Sequence, residues 1–303
     1  MTSTFVYPAT LPYGFMGVPS TSDPRIVLLP VPYDSTTSYR PGSRDAPAAI
    51  IEASRNMETY DESVDIDVAD VAVGTLEPLM PCMAGPSAMC AAIEQATHFH
   101  LQARRTVITL GGEHSVTIGA ARAYAQRFDG IQFLHIDAHA DLREEYEGTP
   151  ENHACVARRL FELGPLVEVG IRSLSSPEMA FIREHKIPVF WARDIVTHSD
   201  FHAVTQQILE HIDKQAPLYI TLDVDALDPS IMPATGTPEP GGLLYHHICT
   251  LLEAVFMHRR VVGFDVVELM PLPGIIAPDF LTARILLRMI ALFSRFQATL
   301  PVC

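Results

Sequence analysis

Apolar residues run along this chain in two rhythms. Short, near-continuous runs such as ITL, FLHI, YITL and VVGFDV read as strands buried on both faces. They predict strands at 25–29, 68–73, 106–110, 131–136, 167–171, 188–191, 218–222 and 261–266. Longer stretches of helical character lie between them, at 87–105, 116–127, 154–163, 201–215 and 245–258, and another closes the chain at 282–296. Strand followed by helix, repeated, predicts a parallel sheet with helices on both faces. The expectation is a single three-layer α/β/α domain over 25–303, with a parallel sheet of about eight strands. Residues 1–24, rich in Pro, Gly, Ser and Thr, read as an irregular arm that packs on the body or on a neighbouring subunit. No internal repeat, low-complexity tract or linker divides the rest.

Polar clusters sit directly after four of those apolar runs. Run 106–110 is followed by Gly111-Gly112-Glu113-His114, and run 131–136 by Asp137-Ala138-His139-Ala140-Asp141. Run 218–222 leads to Asp223-Val224-Asp225, and run 261–266 continues to Glu268. In an open parallel sheet, ligands bind beyond the carboxyl ends of the strands, so one rule brings all four clusters to one rim. In extended backbone, residues two apart share a face. Asp137, His139 and Asp141 can converge on that basis, as can Asp223 and Asp225. With His114 this makes two imidazoles and four carboxylates. Buried together, the carboxylates would repel and turn neutral unless cations compensated them. Two divalent ions bridged by shared carboxylates, about 3.5–4 Å apart as in other two-metal hydrolases, answer that need. The set contains no thiolate, which suits Mn, Fe, Co, Ni or Zn better than Ca or Mg. Alone, a DxD or DxHxD is more often a solvated turn, and a single His a packing residue; the joint occurrence carries the reading.

These stretches resemble the ureohydrolase (arginase–agmatinase) family, and most of all its agmatinases. The resemblance lies in GGEHSV at 111–116, DAHADLR at 137–143, TLDVDALDPS at 221–230, ATGTPEPGGL at 234–243 and VVEL at 266–269. VPYDSTTSYRPGSRDAP, followed by AIIEAS, resembles the family's N-terminal signature. His153-Ala154-Cys155-Val156 and Glu239 point to the agmatinase side. Ala234 stands where Gly is usual, Asp45-Ala46-Pro47 replaces the usual Gly-Pro, and 67–73 lacks a glycine after its Asp; the metal ligands are untouched. The resemblance implies an arginase-like fold and one metal on His114, Asp137, Asp141 and Asp223. It implies a second on His139, Asp137, Asp223 and Asp225, with Asp137 and Asp223 bridging and Mn2+ the first choice among the ions named. It further implies hydrolysis of agmatine to putrescine and urea, by attack of a metal-bridging hydroxide on the guanidinium carbon. Glu268 would grip the guanidinium, Asp141 would hold the hydroxide and pass a proton, and His153 would serve as acid/base or polar anchor beside the leaving amine. A homo-oligomer, trimer or hexamer, is implied too. Other substrates stay open: guanidinobutyrate, guanidinopropionate, guanidine or arginine. So does a non-catalytic member that only binds metal or ligand. A histone-deacetylase-like amide hydrolase is disfavoured, because its paired-His base is missing.

Composition adds boundaries. The chain has 303 residues, 48% hydrophobic and 19% charged, as a globular protein with a sizeable core should. With 21 Lys and Arg against 36 Asp and Glu, the net charge is −15. Nucleic acid and anionic membrane surfaces would repel such a chain, whereas a small cationic substrate would not. Five scattered cysteines form neither a disulfide framework nor a CxxC site. No signal-peptide pattern and no run long enough to span a bilayer is seen, so a cytoplasmic location is expected. Several residues have plainer readings. His153 would cap the helix starting near residue 154, and Glu268 would pair with Arg284 or Arg288. Cys155 reads as a packing residue, and Arg143 as paired with Glu144, Glu145 or Glu147 rather than with a substrate carboxylate. His98, His100, His246 and His247 read as surface residues.

Overall fold

A computed structural model describes residues 7–297 except Tyr13, Ser22 and Ser199. Eight strands form one parallel sheet: β1 (Ile26–Val31), β4 (Val73–Thr75), β5 (Thr106–Gly111), β6 (Gln132–Ile136), β7 (Leu166–Ile171), β8 (Val189–Trp191), β9 (Pro217–Asp223) and β10 (Arg260–Val267). β2 (Tyr60–Asp61) and β3 (Ile66–Asp67) make a small antiparallel pair apart from it. The order across the main sheet is β4-β1-β5-β10-β9-β6-β7-β8. The strands expected to carry the polar clusters are therefore its four contiguous central members.

Alternation along each strand feeds two cores. Ile26 and Leu28 face one side, with α1 (Ala46–Ser54), α7 (Phe201–Glu210), α8 (Tyr245–His258) and α9 (Ala277–Phe296). Val27, Leu29 and Val31 face the other, with α2 (Pro86–Gln102), α3 (Val116–Arg127), α4 (Val156–Leu163) and α5 (Ser176–His185). The short α6 (Ala192–Thr197) adds Ile195 to the first core. The three-layer expectation holds. The described part of the N-terminal arm packs on its own chain: Leu11 N–H donates to Thr75 O, and Phe15 N–H to the Thr75 hydroxyl. This covers the β4 edge of the sheet, which would otherwise present unpaired backbone groups.

Two expectations change. The strand placed at 68–73 is a 3-10 turn at Val68–Asp70, with β4 starting only at Val73. The Asp67 carboxylate accepts the Ala69 N–H at 3.0 Å, and such a local bond competes with the ladder. Of the four helical histidines, His100 is 2% and His247 9% exposed, so neither is a surface residue. His100 falls on the inner stripe of α2 with Met89, Ile93 and Ala96, and neither of its ring nitrogens has a hydrogen-bond partner. Burial, then Arg105, lowers its pKa to about 4. The unfolded chain takes up a proton near pH 6.5 and the folded one does not until about 4. Stability is therefore lost as pH falls through that window, by up to about 3 kcal/mol. His100→Phe should melt at or above the wild-type temperature at pH 7, and its advantage should widen by pH 4.5. Parallel melting curves for the two proteins across that range would remove His100 as the cause.

Candidate metal centre

The glycines of GGEH set the first ligand's position. A Cβ on Gly112 would lie 1.9 Å from Tyr33 O, so only glycine lets the segment after β5 pass under the chain leaving β1. Gly112 N–H donates to Val31 O and Glu113 N–H to Tyr33 O, which aims His114 across the sheet end. His114 Nε2 lies 2.9 Å from the Thr221 hydroxyl, whose own proton goes to Asp265 at 2.6 Å. Thr221 must then accept from Nε2–H, so in the neutral ring Nδ1 keeps its lone pair. That buried Nδ1 has no hydrogen-bond partner. It points at Asp137 Oδ2 (3.0 Å), Asp223 Oδ2 (3.3 Å) and Asp141 Oδ2 (3.4 Å). A lone pair facing three carboxylates is repulsive unless a cation sits among them, and a divalent ion fits this donor set.

The spacing of the aspartates works differently from the extended-strand expectation. Neither segment stays extended. Val224–Ala226 is a 3-10 turn, and Asp141 has φ +48°. Instead, the first Asp of each pair folds one oxygen back on the N–H two residues on. Asp137 Oδ1 accepts from His139 at 2.6 Å, and Asp223 Oδ1 from Asp225 at 2.7 Å. These Asx turns leave Oδ2 of both residues for the His114 side.

On the other side, His139 Nδ1 lies 2.9 Å from Asp225 Oδ2 and 3.5 Å from Asp137 Oδ1. Potential ligand atoms of Asp137, His139 and Asp225 lie within 4.8 Å of one another, as do those of His114, His135, Asp137 and Asp141. Asp137 belongs to both groups. All six expected ligands thus converge, around two centres. Burial opposes charge on His114, yet Asp137, Asp141 and Asp223 hold its pKa well above the imidazole range. Burial also raises Asp141, with Asp137 adding to it, to about 6. The same field that pulls a proton in would pull in a metal ion.

Glu268 sits at the end of β10 with φ +66°, a left-handed backbone uncommon outside glycine. Its N–H donates to Gly112 O, and its Oε1 accepts the His114 N–H at 2.6 Å. It pairs with neither Arg284 nor Arg288; Arg288 instead faces Asp61 and Glu253. Burial, then the charge of Glu113, pushes it up to about 8. His153 does not cap the helix, because the Asn152 side chain accepts the Ala154 N–H. Burial, then His139, lowers His153 to about 4. Glu268 and His153 line one narrow cleft with His114, His139, Asp141 and Asp223.

A cavity of about 330 Å³ adjoins that cleft, lined in part by Ser38, Arg143, Tyr146 and Ser173. Arg143 is not ion-paired with Glu144, Glu145 or Glu147. Its guanidinium lies 4.7 Å from the Tyr146 ring centre, and Glu144 pairs with Arg158. A ring face satisfies the cation where the expected carboxylates turn away. Cys155 is fully buried, and burial pushes its thiol up to about 12, as befits a packing residue.

The sequence reading missed the groups behind the ligands. His135 Nε2 lies 2.9 Å from Asp137 Oδ2, and its Nδ1 is 3.5 Å from Glu168, its register partner on β7. Thr221 and Asp265 stand behind His114. His135 and Thr221 each lie two residues before an expected ligand, on the same strand face, and that was the available signal.

The Arginase family sequence profile matches residues 24–291. An N(1)-aminopropylagmatine ureohydrolase of Synechocystis is 35% identical, over 92% of each chain. One from Thermus thermophilus is 41% identical, over 82% of this chain and 83% of its own. The crystal structure of an agmatine ureohydrolase of Thermoplasma volcanium superposes with a TM-score of 0.82 at 31% identity, over 90% of this chain and 91% of that one. The family carries a two-ion divalent centre, and the His and Asp cluster fits it. This chain belongs to the arginase family and is a metal-dependent amidinohydrolase of its agmatinase-like group.

Proposed function

We propose that the protein releases urea from a small cationic guanidino compound, agmatine in the first place, leaving putrescine. The observation that carries this reading is the shared cleft: a half-buried carboxylate, Glu268, opens onto the same narrow space as the ligand cluster and His153. A planar guanidinium suits bidentate acceptance by a carboxylate. Glu268 spends one oxygen on the His114 N–H and keeps the rest of its acceptor capacity for substrate. A bound cation also favours its charged form against the burial that opposes it. When bound, two divalent ions, Mn2+ first among Mn, Ni, Co, Fe and Zn, supply an ionised water at neutral pH. Asp141 is assigned the transfer of a proton toward the departing nitrogen, and His153 the contact with that nitrogen. A homo-oligomer is part of the proposal. Exposed Tyr60, Ile276 and Phe280 line one cavity of about 790 Å³ and offer an apolar surface for it.

A second reading is favoured by the adjoining cavity of about 330 Å³, which extends the cleft past Tyr146. It provides room for an aminopropyl extension, and the Synechocystis and Thermus thermophilus relatives are named for that longer substrate. Urea release decides between them. The panel is agmatine, N(1)-aminopropylagmatine, arginine, guanidinobutyrate, guanidinopropionate and guanidine, after incubation with Mn, Ni, Co or Zn separately. Agmatine should give the highest kcat/KM; a preference for N(1)-aminopropylagmatine would favour the second reading. No urea from any member, with folded and metal-loaded protein, would leave only ligand binding. Arg143→Ala should change agmatine turnover by no more than about threefold, as for a residue held by stacking alone. Selective loss of guanidinobutyrate turnover in that variant would instead favour a carboxylate-bearing substrate.

A further inference from the structure

One polar network reaches the cleft from outside the metal cluster. Thr36, on the segment that leaves β1, is 5% exposed. Its N–H donates to Glu113 Oε2 at 2.7 Å, and its hydroxyl donates to Glu113 Oε1 at 2.7 Å. Glu113 is fully buried and also accepts from the Ser115 hydroxyl. Burial raises the pKa of Glu113 and the Thr36 and Ser115 donors oppose that rise; in the ionised form that those donors favour, Glu113 acts as an acceptor only.

A hydroxyl has one proton and two lone pairs. The proton of Thr36 is committed to Glu113, so only its lone pairs face His153. They meet the His153 backbone N–H at 3.1 Å and its Nδ1 at 3.3 Å. The second contact is a hydrogen bond only when Nδ1 carries the ring proton. A neutral imidazole has one such proton, so Nε2 is then a bare acceptor. Nε2 lies 3.3 Å from the Ser38 hydroxyl, and His153 lines both the cleft and the adjoining cavity.

We propose that Glu113, acting through the Thr36 hydroxyl, is a positioning residue that fixes His153 as its Nδ1–H tautomer and presents Nε2 to the substrate as a hydrogen-bond acceptor. This rests on the cationic substrate proposed above. An acceptor at Nε2 recognises the N–H groups of a guanidinium or amine, and the opposite tautomer would offer a donor suited to an anion. A buried carboxylate that never touches substrate thereby helps set which sign of charge the cleft takes. The plainer role, Thr36 tying its loop to the start of α3, predicts changes in melting temperature alone.

The test compares Thr36→Val and Thr36→Ser in zinc-loaded protein, Zn2+ being diamagnetic. The tautomer is read from the ring-carbon NMR signals of 13C-labelled histidine, with His153→Asn identifying the signal. The wild type and Thr36→Ser should show Nδ1–H at His153, and Thr36→Val should shift toward Nε2–H. The valine variant should also raise KM for agmatine by about three- to tenfold, as the loss of one hydrogen bond does, while serine restores it. If valine prevents folding, Thr36→Ala takes its place. An Nε2–H signal in the wild type, or an unchanged signal and KM in the valine or alanine variant, overturns the proposal. Absence of urea release alongside a Thr36-dependent Nδ1–H signal supports the positioning role and overturns the substrate reading instead.

Discussion

Asp137→Ala is expected to abolish urea release and to bind little metal at either centre. Among the described residues, Asp137 alone belongs to both ligand groups. One oxygen lies beside His114 and His135, and the other beside His139. Even residues that only orient a ligand cost roughly 10–100-fold in metal affinity when removed, so loss of a shared carboxylate should exceed about 100-fold. Asp223→Ala, which removes a carboxylate from the His114 side, should also lose urea release. Asp225, whose carboxylate lies against His139 and away from His114, provides the contrast; Asp225→Ala should retain part of the metal. Metal content and the rise in melting temperature on adding metal are the readouts, because an ion that binds only the folded state stabilises it by mass action. Full activity and full metal in Asp137→Ala would dismiss the two-centre assignment.

Glu268→Gln should keep the metal and lose most turnover. The substitution preserves shape, and its amide oxygen can still accept the His114 N–H. It removes the charge and turns a donor toward the guanidinium where an acceptor is needed. Hydrogen bonds to charged groups are worth about 1.5–3 kcal/mol each, so the loss should reach roughly 100-fold in kcat/KM. Wild-type kinetics in the metal-loaded variant would refute the guanidinium role.

The ligands were legible because the strands that present them are buried on both faces. Apolar runs such as FLHI and YITL end abruptly in acids and imidazoles, so the sheet's rim can be read as a list of strand ends. Residues behind the ligands were harder to see. His135 and Thr221 lie inside apolar runs, where a lone polar residue looks like a tolerated exception. Only the period of two, counted back from Asp137 and Asp223, marks them. Glu113 and Thr36 meet across 77 residues of chain, a pairing that no local pattern encodes. Among the helices, α5 was missed although Ser175 and Glu178 spell a capping box with Pro177 beside it. α6, with six residues, is too short to show two full turns of periodicity. His100 was misread by residue type, since its place on the stripe with Ile93 and Ala96 already put it inside.

The order of the sheet also bears on how the protein is made. The last strand in sequence, β10, lies between β5 and β9 at the centre. A nascent chain that has emerged only as far as residue 258 can assemble β4-β1-β5 and β9-β6-β7-β8 as separate half-sheets. Without β10, the inner edges of β5 and β9 would present unpaired backbone groups, the kind of edge that pairs with other chains. Docking of β10 closes both edges at once, and the same event brings Glu268 against His114. A product truncated before residue 260 would lack Glu268 and is expected to aggregate more readily than the full chain, which light scattering of the two would check.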